Sequence, residues 1–515
     1  MYLIIHCTDD NPRNKDLERI LRESTGTPLH PHSAPGPDFC IALSHHWKIQ
    51  ADGNHWVAIL GCPYLDSDFS PDLIRLLTEA SISRLRGQYL ILHGCKSDKT
   101  LCIYRDSYGK YPLFVGQNNE NVVVASQPGL VQSALGLRPR LSLSALRRFH
   151  QSLTLDTGET LHSAVTELGP GTSSMQIHLS SKLSIHHSRM LGHARYAFST
   201  RHPPYERFRS EFMTALGVTL AAATSKHDAI LALSGGRDSN LLRAVAIRSD
   251  LALPSSHTSF AGLGCDETRV VNEVGNYGTA RQPITICRPD RPCFDANQED
   301  IFAVSDHVPW PVSHSLLPCL DEAVTRGLSR MLDGTGGDEL FNWPLGHAAR
   351  ASYRMGDILA SLRVLPSLEG VSTRRKIRTL IRTVMTVLFA KPHLRYIFPN
   401  RHFLLAAQQL CWSKNIDLTS PLCDPALIRM MQPVLPWGAF LDGKYRNLED
   451  RLIEETGIYP KELSFLKANF SEVARVQARG NLNLGEPGNI PFSDLVPAFA
   501  DFKIREQGYS LDDDT

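Results

Sequence analysis

The sequence predicts an α/β protein in two parts, a β-rich N-terminal domain and a C-terminal domain built on a mainly parallel sheet. Two patterns and one boundary predict it. Across residues 84–130 short apolar runs alternate with turn residues (QYLILHG, KTLCIYRDSYG, YPLFVG, NVVVAS), as in strands joined by tight connections. From about Tyr205 long amphipathic segments alternate with buried apolar strands, as in FRSEFMTALGVTLAAATS, DAILALSGG and SNLLRAVAIRS. Strand, glycine turn and helix in that order build a parallel α/β layer. Between the two patterns, residues 193–204 (HARYAFSTRHPP) have no period and two prolines, which predicts a linker between domains at 1–195 and 205–515.

A chain of 515 residues with 42% hydrophobic side chains has enough apolar material for two or three domain cores. Lys plus Arg number 54 against 53 Asp plus Glu, so no global field selects nucleic acid or an acidic membrane as a partner. The eleven cysteines are scattered, with no CxxC pair and no histidine set at zinc spacing, which predicts a reduced, cytoplasmic setting. The opening MYLIIHCTDDNPRNKD has no basic region before its apolar patch and does not read as a secretory signal. The apolar run 384–390 is far too short to span a membrane, so no transmembrane segment is expected. The acidic end SLDDDT reads as a frayed tail.

The chemistry is carried first by Ser234-Gly235-Gly236-Arg237-Asp238-Ser239, directly after the apolar strand 229–233 and before a helix expected to start near Asn240. By average residue usage such a hexad arises by accident on the order of once in a thousand chains of this length. Glycines at 235 and 236 let backbone approach an anion without Cβ collisions, and a helix start offers free N–H groups to phosphate oxygens. A carboxylate beside phosphates is repelled unless it binds a divalent cation, so Asp238 predicts magnesium. A second loop, Asp333-Gly334-Thr335-Gly336-Gly337-Asp338-Glu339-Leu340-Phe341, follows the strand-like SRML and lacks the alternating ligand spacing of a calcium loop.

SGGRDS followed about a hundred residues later by GTGGDELF resembles the synthetase domain of asparagine synthetases and their relatives, among them β-lactam synthetases, carbapenam synthetases and lasso-peptide cyclases. Arg105-Asp106-Ser107-Tyr108-Gly109, Pro112-Leu113, Val124-Ala125-Ser126 and TLHSAVTELGPGT resemble the glutaminase-type domain of that family. Ser420-Pro421-Leu422-Cys423-Asp424, Gly443-Lys444, Arg451 and LSFLKANFSEV follow the order of its last helices. The resemblance runs from about Arg84 to Val473. It implies an N-terminal glutaminase-like, Ntn-type β-rich sandwich and a C-terminal PP-loop ATP pyrophosphatase α/β synthetase domain.

The resemblance further implies ATP and Mg2+ as cofactors and carboxylate adenylation as the reaction. A substrate carboxylate attacks the α-phosphate, pyrophosphate leaves, and an amine displaces AMP. Charge growing on pyrophosphate is met by the loop 234–239, the metal and a lysine. Residue by residue, Asp238 and Asp338 match the metal-holding positions and Lys467 the phosphate-contacting lysine. Leu233, Ser259, Gly334 and Thr335 join Ser234, Gly235, Gly236, Arg237 and Ser239 as the nucleotide-contacting set. Glu267, in CDETRVV, matches an acidic position after the second strand or caps the helix that begins there.

Three departures set the expected specificity. Position 2, where a working glutaminase of this family exposes a nucleophilic cysteine, is Tyr2, and Cys7 lies inside the apparent strand MYLIIHC. No glutamine-holding loop is recognisable around LSHHWKIQADG, so glutaminase activity is expected to be absent. Position 335, a glutamate in asparagine synthetases and a tyrosine in β-lactam synthetases, is Thr335, which cannot accept the amine proton. A lasso-peptide cyclase fits these departures. It adenylates an Asp or Glu side chain of a leader-trimmed precursor peptide, and the peptide's own amine closes the macrolactam, removing the cost of bringing in a second substrate. A leader peptidase and a leader-recognition protein are the implied partners. Glu339, Glu369, His307 and His314 remain open as the base. The alternatives are a glutamine-independent small-molecule amide synthetase and a catalytically dead scaffold subunit.

Overall fold

The computed structural model describes residues 3–8, 19, 30–31, 39–43, 47–52, 54–65, 68, 71–78, 85–95, 97–98, 100–106, 109–118, 121–152, 155, 158–169, 174–178, 184–188, 205–224, 229–261, 266–276, 284–288, 298–309, 316–341, 373–374, 377, 381, 401–431, 447–459 and 492–512. The fold is mixed α/β. The expected linker at 193–204 lies outside the described residues.

The first part is built from β1 (Leu3–Thr8), β2 (His30–Pro31), β3 (Phe39–Leu43), β4 (Lys48–Ala51), β5 (His55–Gly61), β6 (Tyr89–Cys95), β7 (Thr100–Arg105), β8 (Phe114–Gln117) and β9 (Asn121–Ala125), followed by β10 (Arg140–Ser142), β11 (Thr166–Glu167), β12 (Ser174–His178) and β13 (Ser184–Ser188). These make two antiparallel six-stranded sheets, β11-β8-β9-β1-β3-β2 and β13-β12-β7-β6-β5-β4; β10 belongs to neither. Their faces follow the period of two. On β5 Trp56, Ala58 and Leu60 enter the core shared with Ile5, Ile41 and Val123 of the other sheet. The intervening Val57 and Ile59 pack outward on Leu73 and Leu77 of helix α1 (Leu73–Thr78). Each such side chain fully buried contributes roughly 1.5–3 kcal/mol. Helices α2 (Pro128–Ala134) and α3 (Leu143–Ser152) complete this part, and β6 to β9 fall where the apolar runs predict strands.

The second part is a parallel sheet of β14 (Ala229–Ala232), β15 (Ser255–Thr258), β16 (Ile284–Cys287), β17 (Arg330–Leu332) and β18 (Asp417–Thr419), in the order β16-β15-β14-β17-β18. On one face lie α4 (Tyr205–Thr224), α5 (Arg237–Arg248) and α6 (Thr268–Gly275); on the other lie α7 (Gln298–Val304) and α8 (Leu317–Thr325). After the short α9 (Gly337–Phe341), α10 (Arg401–Ser413) joins the second face, while α11 (Pro425–Met431) and α12 (Asn447–Glu454) join the first. Helix α4 shows why it docks: Phe208, Phe212, Leu216 and Leu220 fall every fourth residue and form one buried stripe. Strand β14 feeds both faces, with Ala229 and Leu231 to one and Ile230 to the other. The chain starts at this central strand, moves out to β16 and crosses back to β17, so the strand order reverses beside β14. Crevices form at the carboxyl ends of strands where such a reversal occurs.

Helix α5 begins at Arg237, three residues before the expected start near Asn240. Gly236, extended at φ −81° and ψ 165°, is its N-cap, so Arg237 to Ser239 already form the first turn. Among the described residues no helix is long and apolar enough to cross a membrane.

The two parts share buried surface. Leu405 and Trp412 of α10 enter the sandwich core, and the Tyr111 ring stacks on Trp412 at 6.4 Å. Asp417 accepts hydrogen bonds from Arg330 Nη2 at 2.9 Å and from the Tyr111 hydroxyl at 2.9 Å, all three being buried. The last elements, α13 (Phe492–Gln507) and β19 (Ser510–Asp512), return to the first part: Phe499 and Val496 pack on Phe149 and Leu146, and β19 pairs in parallel with β10.

Candidate functional site

The two glycine loops leave the carboxyl ends of adjacent strands, β14 and β17, and meet there. A Cβ built on Gly334 would stand 2.9 Å from both Asp238 Cβ and the Ser239 amide nitrogen, and one on Gly337 would overlap the Asp238 carboxylate. Glycine is required at both positions because the first turn of α5 occupies the space a side chain would need. Asp238 is therefore the point at which the loops touch.

The first loop is fastened within itself. The Ser234 N–H donates to Ser239 Oγ at 3.0 Å, the two hydroxyls lie 3.0 Å apart, and the Gly236 N–H donates to Ser234 Oγ at 3.1 Å. Asn240, fully buried, donates from Nδ2 to the carbonyls of Ser234 (2.9 Å) and Gly236 (2.7 Å). Outside this ring, Arg237 Nε donates to the Asp450 carboxylate of α12.

Glu267 does not cap α6 with its side chain, although it occupies the N-cap position. Asp266 takes that work, accepting from the Thr268 N–H and, at 2.6 Å, from its hydroxyl. The Glu267 carboxylate turns to the first loop and accepts the Gly235 N–H at 2.7 Å, and a Cβ on Gly235 would come within 2.9 Å of Glu267 Cβ. One amide of the loop is thus already bound to an anion.

The second loop is an Asx turn. Thr335 donates from its hydroxyl to Asp333 Oδ2 at 2.6 Å and from its N–H to Asp333 Oδ1 at 3.3 Å, and the Gly337 N–H donates to the Gly334 carbonyl at 3.2 Å. Gly336 sits at φ +100°, in the region that favours glycine.

The sequence-predicted set is partly gathered here. Ser234 to Ser239, Gly334 and Thr335 lie together. Leu233 directly follows β14, with its N–H on the Ser256 carbonyl and its carbonyl accepting from His257 Nδ1 at 2.9 Å; burial holds the His257 ring below the usual histidine range. Ser259 follows β15 at the same sheet edge and donates its N–H to the Cys287 carbonyl. Asp338 and Glu339 belong to α9, but their side chains lie outside the described residues, as do Lys467, Glu369 and His314. His307 lies against Phe114 of the sandwich at 5.6 Å and donates its N–H to Ser305 Oγ, contacts that belong to neither loop. Among the described residues no group of three or more His, Cys, Asp or Glu side chains is placed to hold a metal ion.

Asn240, Asp450 and the contact of Glu267 with Gly235 were not foreseen. The sequence signal for Asn240 is its place directly after SGGRDS, inside the first turns of α5. In the first part, Cys7 lies in β1, paired in register with Phe39 and Val122. Arg105 of the RDSYG stretch is structural: its guanidinium donates to the carbonyls of Leu168 and Gly169 and packs under Gly109, which sits at φ +60°.

Residues 72–186 match the family model described as a glutamine amidotransferase domain, so this part of the chain is glutamine amidotransferase-like. No curated protein matches the chain. Among solved structures, the chain is 13% identical to a glutamine phosphoribosylpyrophosphate (PRPP) amidotransferase from B. subtilis complexed with ADP and GMP, over 50% of this chain and 65% of that one, with a TM-score of 0.23. It is 10% identical to a structure described as the allosteric regulatory enzyme of purine biosynthesis, over 58% of this chain and 77% of that one, with a TM-score of 0.24. The chain thus spans under two thirds of the first structure's length.

Proposed function

We propose that this chain is an ATP-dependent, AMP-forming carbon-nitrogen ligase that closes a macrolactam ring in a leader-trimmed peptide. The observation that carries the reading is the convergence of the two glycine loops on Asp238. A carboxylate at the first turn of a twelve-residue helix, pressed between two glycine loops at a reversal of strand order, suits a magnesium-bound anion better than a structural cap.

The residues present fit that ligand. The Ser234 hydroxyl and the first turn of α5 lie together after β14, and the glycines leave the space that a phosphate would need. Asp238 would hold the cation with Asp338, and Lys467 would meet phosphate oxygens. Bound ATP would supply the leaving group that activates a substrate carboxylate. Glu267, already accepting the Gly235 N–H, would keep that amide from the anion. Thr335, its hydroxyl committed to Asp333, offers no base for the incoming amine, so the amine proton goes elsewhere.

An amine already attached to the substrate would need no ammonia from the amidotransferase-like part. A precursor peptide, a leader peptidase and a leader-recognition protein are the partners this reading requires. The test follows peptide mass and AMP formation with ATP, magnesium and a trimmed candidate precursor. Loss of one water from the peptide, abolished by Asp238→Ala, is the expected result. Turnover with small amino acids alone would replace the peptide by a small carboxylate, and no turnover with any carboxylate would overturn the reading.

A further inference from the structure

The second glycine loop rests on a floor made by another segment, which the amidotransferase-like part holds in place. Directly after β18 the chain turns through a 3-10 helix at Pro421–Cys423. A Cβ on Gly336 would stand 3.0 Å from the Leu422 carbonyl carbon and 3.1 Å from the Cys423 nitrogen, and Cys423 Sγ reaches the Thr335 carbonyl at 3.4 Å.

Three side chains from the first part grip this floor from its far side. Gln88 pairs with the backbone of Ser420 in both directions, donating from Nε2 to its carbonyl and accepting its N–H at 3.1 Å. Lys110 Nζ donates to Ser420 Oγ at 2.9 Å. The Tyr64 hydroxyl donates to Asp424 Oδ2 at 3.0 Å, while Asp424 Oδ1 accepts the Ala426 N–H at the start of α11. Every member is buried: Lys110 is 2% exposed, and Ser420 and Asp424 not at all. Burying a lysine costs desolvation that a space-filling residue at 110 would avoid, so its hydrogen bond is the physical reason for its place there.

We infer that Gln88, Lys110 and Tyr64 are positioning residues for the second glycine loop: acting through residues 420–424, they set the distance of Thr335 to Gly337 from Asp238. The amidotransferase-like part then serves the other part as a clamp. The inference rests on the reading that the two loops form one nucleotide site.

The experiment uses the full chain with Gln88→Met, Lys110→Met and the milder Ser420→Ala, which removes the same hydrogen bond from the other side. Amide hydrogen exchange is followed at 333–341 and 234–240, with magnesium ATP affinity measured by titration. Each variant is expected to speed exchange at 333–341 by about tenfold while 234–240 keeps its protection. Magnesium ATP affinity should fall by about tenfold, and Lys110→Arg should recover part of it. The Lys110→Met and Ser420→Ala effects should be non-additive because they remove one bond. Unchanged exchange at 333–341, or equal loss of protection at both loops in Ser420→Ala, would overturn the inference. If the wild type binds no ATP the proposed function fails, and the exchange comparison still decides whether the clamp exists.

Discussion

The two glycine loops stand side by side at one sheet edge and are built on opposite plans. The first is fastened mainly by residues within a span of seven, from Ser234 to Asn240, and Glu267 adds a long-range hydrogen bond to its Gly235 N–H. The second has one local device, the Asp333 turn, and takes its floor from Cys423, 88 residues away, and that floor is held in turn by Gln88, 332 residues from Ser420. A loop that fastens itself keeps its shape wherever its strand is placed. One that borrows its support reports on the whole interface between the two parts.

The largest expected effect comes from breaking that interface. Asp417→Ala removes the carboxylate that accepts from both Arg330 and Tyr111 and leaves a buried guanidinium without its counter-charge, which should cost about 3–5 kcal/mol in chemical denaturation. Below the unfolding transition, exchange at 333–341 should rise more than at 234–240; the reverse order would show that the second loop does not depend on the interface.

Asn240→Ala sharpens the comparison from the other side. It removes the Nδ2 hydrogen bonds to the half-buried carbonyls of Ser234 and Gly236 and should cost about 1–3 kcal/mol, loosening 234–240 and sparing 333–341. Equal loosening of both loops would mean that they form one cooperative unit.

The smallest effect is on pH. His257, whose ring ties the carbonyl at the end of β14, and His162, on the Asp306 carbonyl, both have pKa values lowered from 6.5, burial being the first cause in each. The unfolded chain then takes up protons that the folded chain refuses. Stability is fully present above about pH 6.5 and falls as the pH drops below it, by at most about 1.4 kcal/mol per pH unit for each histidine. His257→Gln should flatten part of that slope in thermal melts and His162→Gln another part; unchanged slopes would remove these histidines from the account.

How much of this was legible follows the same division. The SGGRDS loop can be read with its strand because most of the bonds that shape it are local, whereas its ties to Glu267 and Asp450 are not, and the helix starts earlier than its apolar period because Gly236 caps it. The strands of the first part were legible through their period of two. The floor under the second loop was not: SPLCD could be quoted for its order in the chain, but nothing local in Gln88 or Lys110 marks a side chain that reaches Ser420. Glu267 was legible as an acid at a helix start, yet Asp266, one residue earlier, is the cap, and which of two neighbouring carboxylates turns inward is decided by tertiary packing.

The central claim, that the two loops form one nucleotide site meeting at Asp238, is tested most directly by titrating magnesium ATP into the wild type, Asp238→Ala, Gly337→Ala and the double variant. Binding by the wild type, with each single change weakening it by roughly a hundredfold and the double no worse than Asp238→Ala alone, is the predicted result, because the added methyl acts by displacing the carboxylate. No binding by the wild type, or a double variant whose losses simply add, would contradict the claim.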